Sequence, residues 1–547
     1  MLACMSAVST ATDQTAFAER AFIAGENAAV QVYQPDRQGN LQEAKTLPRG
    51  TEVILKEGNP AEMDGETYQR IILEDSDDPE LDGAALYISP RNLTDRKSKV
   101  VQEKELYVRT PVTLYENSEG PEIAGFIPKG TKLEVIGYKN LQKDGTVTKY
   151  KVRVAADDAD GPEGFAYGKY LVRTQEEADA VYNENGEYDK AKKAKYGFDL
   201  YGGKATDMDY YPYERTKIKG KKFCREARGM YLNYYSALHS DEYIDIIKET
   251  NCNAVVIDLK DGGLSYKSPV AGELSPTSYK HAHVSVDEFK AAVKKFQDEG
   301  VYTIGRIVCF NDGDYAKDHP EDCIKTSVSS SGWPSAYSRD VWYYNVALAE
   351  EAVDLMGFDE IQFDYVRFPE AAYEMSQDKG TDFRNSYGES KGQAIQNFCF
   401  YAADQIHEAG AYFSVDVFGE CSNGYVTACG QYWPAISNIV DAISSMPYTD
   451  HFGDADTWSQ PKAIMSTWAK KAAKEQTKIP TPGAARTWIT GYNTPFWSPS
   501  VNYDEQKLRD QVDALYDAGL DGGFIPWNSG SPVPTYEMYK GIWNYKR

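Results

Sequence analysis

EIQFDYVRFPE, residues 360–370, is an apolar run that stops on an acid, Asp364, and then turns through Tyr365, Arg367 and Pro369. A proline cannot donate to a sheet ladder, so the strand ends before it. A carboxylate and a guanidinium are thereby left where the strand runs out. Such a placement is useful in a parallel βα barrel, where reacting groups sit at strand C-terminal ends and on the loops that follow.

Outward from this stretch, the chain after residue 227 alternates short β-type runs with helical ones, the pattern of parallel βα units. Eight runs read as strands: GMYLNYY (229–235), NAVVIDL (253–259), YTIGRIVCF (302–310), EIQFD (360–364), YFSVDVF (412–418), AISSMPY (442–448), ARTWIT (485–490) and GGFIPW (522–527). Ser285 to Glu288 reads as a capping box, and Phe289, Val293 and Phe296 continue on one helix face. Gly300, Gly357, Gly410 and Gly519 each close a helix just before the next strand. Eight units in about 320 residues predict a (β/α)8 barrel over 227–547. The alternative, an open doubly wound sheet, lacks a Gly-rich phosphate fingerprint after its first strand.

The acids gather at the predicted strand ends. Strand two places Asp258, Lys260 and Asp261 at the rim, strand four Asp364 with Arg367, and strand five Asp416 with Glu420 beyond it. Arg306 lies in strand three and Arg486 in strand seven; Tyr448 ends strand six, and Trp527 and Asn528 close strand eight. Glycoside hydrolysis needs one ionised and one protonated carboxyl group, and a separation of about 5–5.5 Å makes the first a nucleophile. Adjacent strands lie about 4.8 Å apart, so Asp364 and Asp416 can meet that spacing. Asp364 is the expected nucleophile, with Asp416 or Glu420 as acid/base. Asp258, Lys260, Asp261, Arg306, Arg367, Trp433, Tyr448, Arg486, Trp527 and Asn528 are the expected substrate contacts. All nine tryptophans fall at or after Trp333; Trp433, Trp497 and Trp527 sit in or beside βα loops, whereas Trp342 and Trp468 read as core. The bland reading of the same rim is an ion-pair network with no chemistry.

Residues 17–97 and 98–175 repeat one another with a period of about 80 positions. LPRGTEVIL (47–55) returns as IPKGTKLEVIG (127–137), and DGETYQRIIL (64–73) as DGTVTKYKVRV (144–154). Each copy then carries an acidic insert and an aromatic strand, so both read as small all-β units. They resemble bacterial SH3-like domains, and the resemblance implies binding of cell-wall glycopeptide; a spacer role is the alternative. Residues 176–226 read as a Tyr-rich linker packing on the barrel, and residues 1–16 as a disordered start or signal remnant.

With 83 acidic against 59 basic residues the net charge is −24, which repels nucleic acid and anionic membrane surfaces. No run approaches the length of a membrane span. Cys252, Cys309 and Cys399 read as buried thiols, and Cys421 and Cys429 form the one candidate disulfide. The six histidines show no zinc spacing, HAH at 281–283 reads as loop, and no metal or cofactor is expected.

VVIDLKD, GRIVCFND, IQFDYVRFP, SVDVFG, SSMPYTDHFG and FIPWNS resemble the bacterial "putative glycosyl hydrolase domain" family, related in pattern to α-amylase-like barrels. The resemblance runs through residues 227–547 and implies a carbohydrate-active barrel in which Asp364 and Asp416 carry the chemistry and Asp258 is a rim acid. The family's pattern carries a proline and serine-histidine where this chain has Tyr448 to His451. The expectation is a secreted or cell-surface, monomeric, retaining glycoside hydrolase acting on a cell-envelope or environmental polysaccharide. Its rival is a non-catalytic glycan-binding or wall-associated scaffold, distinguished by whether arginines lock every rim acid.

Overall fold

The computed structural model describes residues 20–58, 60–74, 78–155, 161–182, 202–327, 330–494 and 500–545. The expected disordered start, Trp497, and parts of the acidic inserts and linker lie outside these residues. The chain divides into two compact units, one comprising residues 1–118 and 127–179 and the other residues 119–126 and 180–547.

The first unit is all-β. Its strands from Arg20–Ile23 to Leu93–Thr94 form one antiparallel sheet, and those from Glu105–Val108 to Leu171–Val172 form a second. Apart from one extra strand in the first sheet, Ala61–Met63, the spatial order of strands in the second sheet repeats that of the first, and in each a 3₁₀ turn, Pro90–Asn92 or Gly168–Tyr170, precedes the last strand. The sequence repeat is thus a repeat of topology. Arg49, from the first PRG turn, is buried and joins the copies, donating to Gly145 O (2.7 Å), the Tyr150 hydroxyl (3.0 Å) and Glu103 Oε2 (2.5 Å).

The second unit contains a closed parallel barrel of eight strands. These are β1 (Ala227–Leu232), β2 (Ala254–Lys260), β3 (Tyr302–Val308), β4 (Glu360–Asp364), β5 (Tyr412–Phe418), β6 (Ala442–Met446), β7 (Ala484–Thr490) and β8 (Gly523–Trp527). Closure pairs Ala227 with Gly523 and Arg228 with Phe524. Gly523 has φ 98° and its missing Cβ would stand 2.0 Å from Ala227 O, so only glycine fits this seam. The helices used below are α1 (Tyr234–Leu238), α2 (Ser240–Glu249), α3 (Val286–Asp298), α4 (Arg339–Met356), α5 (Lys391–Ala409), α6 (Pro461–Gln476) and α7 (Glu505–Asp517). Ser285 caps α3 by accepting from Glu288 N, and the reciprocal capping box stands at Ser390 and Gln393 on α5. The expected first strand is cut short: Asn233 accepts from Ser236 N and starts α1, so Tyr234 and Tyr235 are helical.

Alternation along β4 explains how a strand with three polar residues is wholly buried. Ile361 and Phe363 are fully buried, and Phe363 stacks on Phe398 of α5. Glu360, Gln362 and Asp364 enter the barrel. At its lower end Glu360 accepts from Arg486 (2.6 Å), Ser414 (2.5 Å) and Tyr302 (3.0 Å); above this, Gln362 donates to Ser444 (3.0 Å). The interior is therefore polar from bottom to top, with Tyr231, Val256, Ile304, Trp488 and Ile525 as its apolar filling.

The expected Cys421–Cys429 bridge is not formed; both are buried free thiols, and Cys429 Sγ lies 3.1 Å from Thr427 Oγ1. Among the described residues no helix is long and apolar enough to cross a membrane.

Because Arg486 and Glu360 are both fully buried, removing one partner leaves the other's charge uncompensated. Arg486→Met should cost about 3–5 kcal/mol, and the double variant with Glu360→Met should recover much of it. Urea unfolding followed by tryptophan fluorescence reads this in the barrel alone, since no tryptophan precedes Trp333.

Candidate active site

One guanidinium organises the upper end of the barrel. Arg306 rises from β3, where its register partner on β2 is Asp258. Its Nη1 donates to Asp258 Oδ1 (2.6 Å) and Asp261 Oδ2 (3.0 Å), and its Nη2 to Asp364 Oδ2 (2.6 Å). Its Nε stands 3.6 Å from Asp416 Oδ2. Burial works against the arginine's charge, but Asp258, Asp364 and Asp261 outweigh it, so its proton is held more tightly than usual.

Register places the acids together. The β4–β5 ladder runs from Glu360 with Tyr412 to Phe363 with Val415, one step short of Asp364 and Asp416, which therefore stand side by side on neighbouring strands. Their surroundings differ. Asp364 takes two short hydrogen bonds, from Arg306 and from the backbone N–H of Tyr365 (2.6 Å). Tyr365 adopts φ 53°, a left-handed conformation costly for a bulky side chain, at about 1–3 kcal/mol. That turn aims its N–H back at the carboxylate. Asp416 is fully buried; its Oδ1 accepts from Trp488 Nε1 (2.7 Å), and its Oδ2 has no hydrogen bond. Burial first, and the Asp364 charge second, push its carboxyl well above the usual range, so it keeps its proton.

Asp258 is the third acid. Tyr231 donates to its Oδ2 (2.5 Å), and burial raises its carboxyl to about 6 against the pull of Arg306. Tyr448 faces the same acids: burial and then the charge of Asp364 push its phenol well up, so it remains a donor. Trp527 and Tyr492 pack beside it with ring centroids 5.3 and 6.0 Å from its own. The mouth thus holds aromatic faces next to carboxyl groups in different environments.

The other expected contacts are placed elsewhere. Lys260 is buried, with its ammonium on Asp312 (2.6 Å) and on Asn345 of α4 (2.8 Å). Arg367 turns away from Asp364, pairs with Glu370 (3.3 Å) and lies over the rings of Phe418, Tyr365 and Trp333. Arg486 belongs to the lower ion pair with Glu360. Trp433 is fully buried, donates to Gln476 and packs on Trp468, both on α6. Asn528 donates to Gly491 O (3.2 Å), tying the ends of β7 and β8 together. Glu420, on the 3₁₀ turn after β5, is half-buried and accepts from Tyr425 (2.6 Å).

Tyr231, Trp488 and Tyr365 were missed by the sequence reading. Tyr231 and Trp488 lie inside predicted strands, where an aromatic reads as core. Their inward register, two residues from other barrel-facing positions, was the available signal.

Among the described residues one group, His319, Glu321 and Asp322, lies close enough to hold a cation. Its donors are already used: His319 Nε2 is 2.6 Å from Leu274 O, and Asp322 accepts from Tyr315 and Ser338. The set suits local cross-bracing better than a metal.

Residues 229–532 match the model of a family described as "Putative glycosyl hydrolase domain". The chain belongs to this family. Similar solved structures include a hypothetical protein from Ruminiclostridium thermocellum ATCC 27405, 32% identical over 36% of this chain and 100% of that one, with TM-score 0.29. The PgaB (BpsB) glycoside hydrolase domain from Bordetella bronchiseptica is 14% identical over 59% of this chain and 99% of its own, with TM-score 0.43. A GH18 chitinase from Pseudoalteromonas aurantia is 13% identical over 58% and 98%, with TM-score 0.36. Among curated proteins, none matches the chain.

The Asp258 carboxyl gives a pH signature. Its folded value near 6 lies above the ordinary 3.8, so the folded state binds the extra proton and stability falls as pH rises between about 4 and about 6. Two units correspond to about 3 kcal/mol. Asp258→Asn should lack that slope, so its stability relative to wild type should improve across this window in urea titrations followed by tryptophan fluorescence.

Proposed function

We propose that the barrel is a retaining glycoside hydrolase. The observation that carries this reading is the Asp364–Asp416 pair, two adjacent carboxyl groups that share Arg306 yet differ in what stabilises their charge. Ionised carboxylates about 5 Å apart would repel by about 3 kcal/mol at an effective dielectric of about 20. Both are buried; Asp416, with one bare oxygen, takes the proton, and Asp364, with a donor on each oxygen, is left the charge.

In this mechanism Asp364, held by Arg306 and the Tyr365 N–H, attacks the anomeric carbon as Asp416 protonates the leaving oxygen. Asp416, then ionised, takes a proton from the water that releases the glycosyl group. Strand spacing supports retention, because an inverting pair needs room for a water, about 6.5–9.5 Å. Tyr448, Tyr492 and Trp527 offer ring faces for a sugar beside the acids.

We further propose that the protein is exported and acts on a cell-envelope or environmental polysaccharide, with the repeated β modules raising its local concentration on that material. Their resemblance to SH3-like domains supports this part.

Asp364→Asn should reduce release of reducing ends from a polysaccharide panel by at least about a thousandfold while the folded circular dichroism signal is kept. Asp416→Asn should retain activity on substrates with good leaving groups, and Glu420→Gln should not show that selectivity. A mechanism-based fluorosugar of the cleaved series should label Asp364; a label on Glu420, or full activity in Asp364→Asn, would overturn the assignment.

A further inference from the structure

Four aromatic rings stand outside the acid cluster on the same end of the barrel. Asn233 starts α1 directly after β1 and so turns Tyr234 and Tyr235 out of the strand. The Tyr234 ring stacks on His283, from the loop after β2, with centroids 3.7 Å apart and planes within 5°. Tyr235 packs beside His239 with ring centroids 4.2 Å apart and is 61% exposed; His239 and His283 are exposed as well. The ends of β1 and β2 border the mouth, where Asp258 of β2 meets Arg306 of β3.

A glycine-containing loop runs from the acids toward these rings. Asp261, which takes Arg306 Nη1 at 3.0 Å, is half-exposed and donates its backbone N–H to Gly263 O (3.0 Å). Gly262 has nothing within 4 Å of a would-be Cβ, and a Cβ on Gly263 would meet only His283 Nε2, at 3.9 Å. Two adjacent glycines thus add no side chain of their own to the loop that leads from Asp261 toward His283, although there is room for one.

We propose that Tyr234, Tyr235, His239 and His283 form a distal glycan subsite, reached across the Gly262-Gly263 loop, that holds the continuation of the chain whose bond is cut at Asp364 and Asp416. This rests on the hydrolase reading of those acids. Exposed ring faces suit the C–H faces of pyranose rings, and the imidazole nitrogens and the Asp261 carboxylate suit their hydroxyls. Nucleobases, which also stack on such rings, arrive on a phosphate backbone that a chain of net charge −24 repels. A substrate spanning both sites is a polymer gripped along its length, which favours internal cleavage over trimming of single end residues.

The test is calorimetric titration of full-length protein carrying Asp364→Asn with disaccharides and hexasaccharides of N-acetylglucosamine, glucose, mannose and galactose. Cleavage of the same compounds by wild type is scored separately. The hexasaccharide of one series should bind at least about tenfold more tightly than its disaccharide, and adding Tyr235→Ala or Gly263→Gln should bring that ratio to within about twofold. Both added changes are at exposed or open positions, and unchanged thermal unfolding would confirm that each variant folds. A length preference that survives both variants overturns the platform and leaves the hydrolase reading intact. Length-dependent binding that both variants abolish, without cleavage by wild type, supports the platform and overturns the hydrolase. Absence of binding by every oligosaccharide overturns the platform.

Discussion

The upper barrel depends on a shortage of positive charge. Asp258, Asp261, Asp364 and Asp416 share Arg306, because Lys260 is committed to Asp312 and Arg486 to Glu360. Four carboxylates around one guanidinium cannot all be ionised where three of them are buried, so the cluster holds protons. Which acid holds one follows from local detail. Asp364 has the backbone donor that a strained Tyr365 supplies, Asp416 has only an indole N–H, and Asp258 has Tyr231 and one arginine arm. A network of matched ion pairs would leave every acid alike.

Below this cluster the barrel is built in the opposite manner. Glu360 and Arg486 are matched one to one; Ser414 and Tyr302 donate to the Glu360 carboxylate, and the Cys224 carbonyl accepts from Arg486. The balanced lower layer holds the strands in register, and the unbalanced upper layer stands where a ligand can approach. Both layers come from inward positions of the same strands.

Much of this was legible in the sequence. Period-two runs ending in acids, with helices closed by glycines before them, predict the barrel, and equal depth on β4 and β5 pairs Asp364 with Asp416. Partners across the barrel were less legible. Arg486, near the start of β7, and Arg367, just past the end of β4, were both expected at the rim, but one reaches down to Glu360 and the other is drawn outward among Phe418, Tyr365 and Trp333. Lys260 follows a register shift after Asp258 that redirects it to Asp312, and no local pattern announces that shift. Trp433 sits beside a loop in sequence, yet α6 covers it. Strand boundaries failed where a single side chain decides them, as when Asn233 caps α1.

The two β modules share a strand order and a repeated sequence, but they are not interchangeable. In the first copy the basic residue of the Pro-basic-Gly turn, Arg49, is sunk against Glu103 and Tyr150 of the second. In the second copy the equivalent Lys129 is exposed. Lysine carries a single point charge, so it could not reproduce the several directed hydrogen bonds that Arg49 makes. The repeated segment thereby has a polarity: the order of the copies along the chain is written into one turn, and a gene that permuted them would lose the joint.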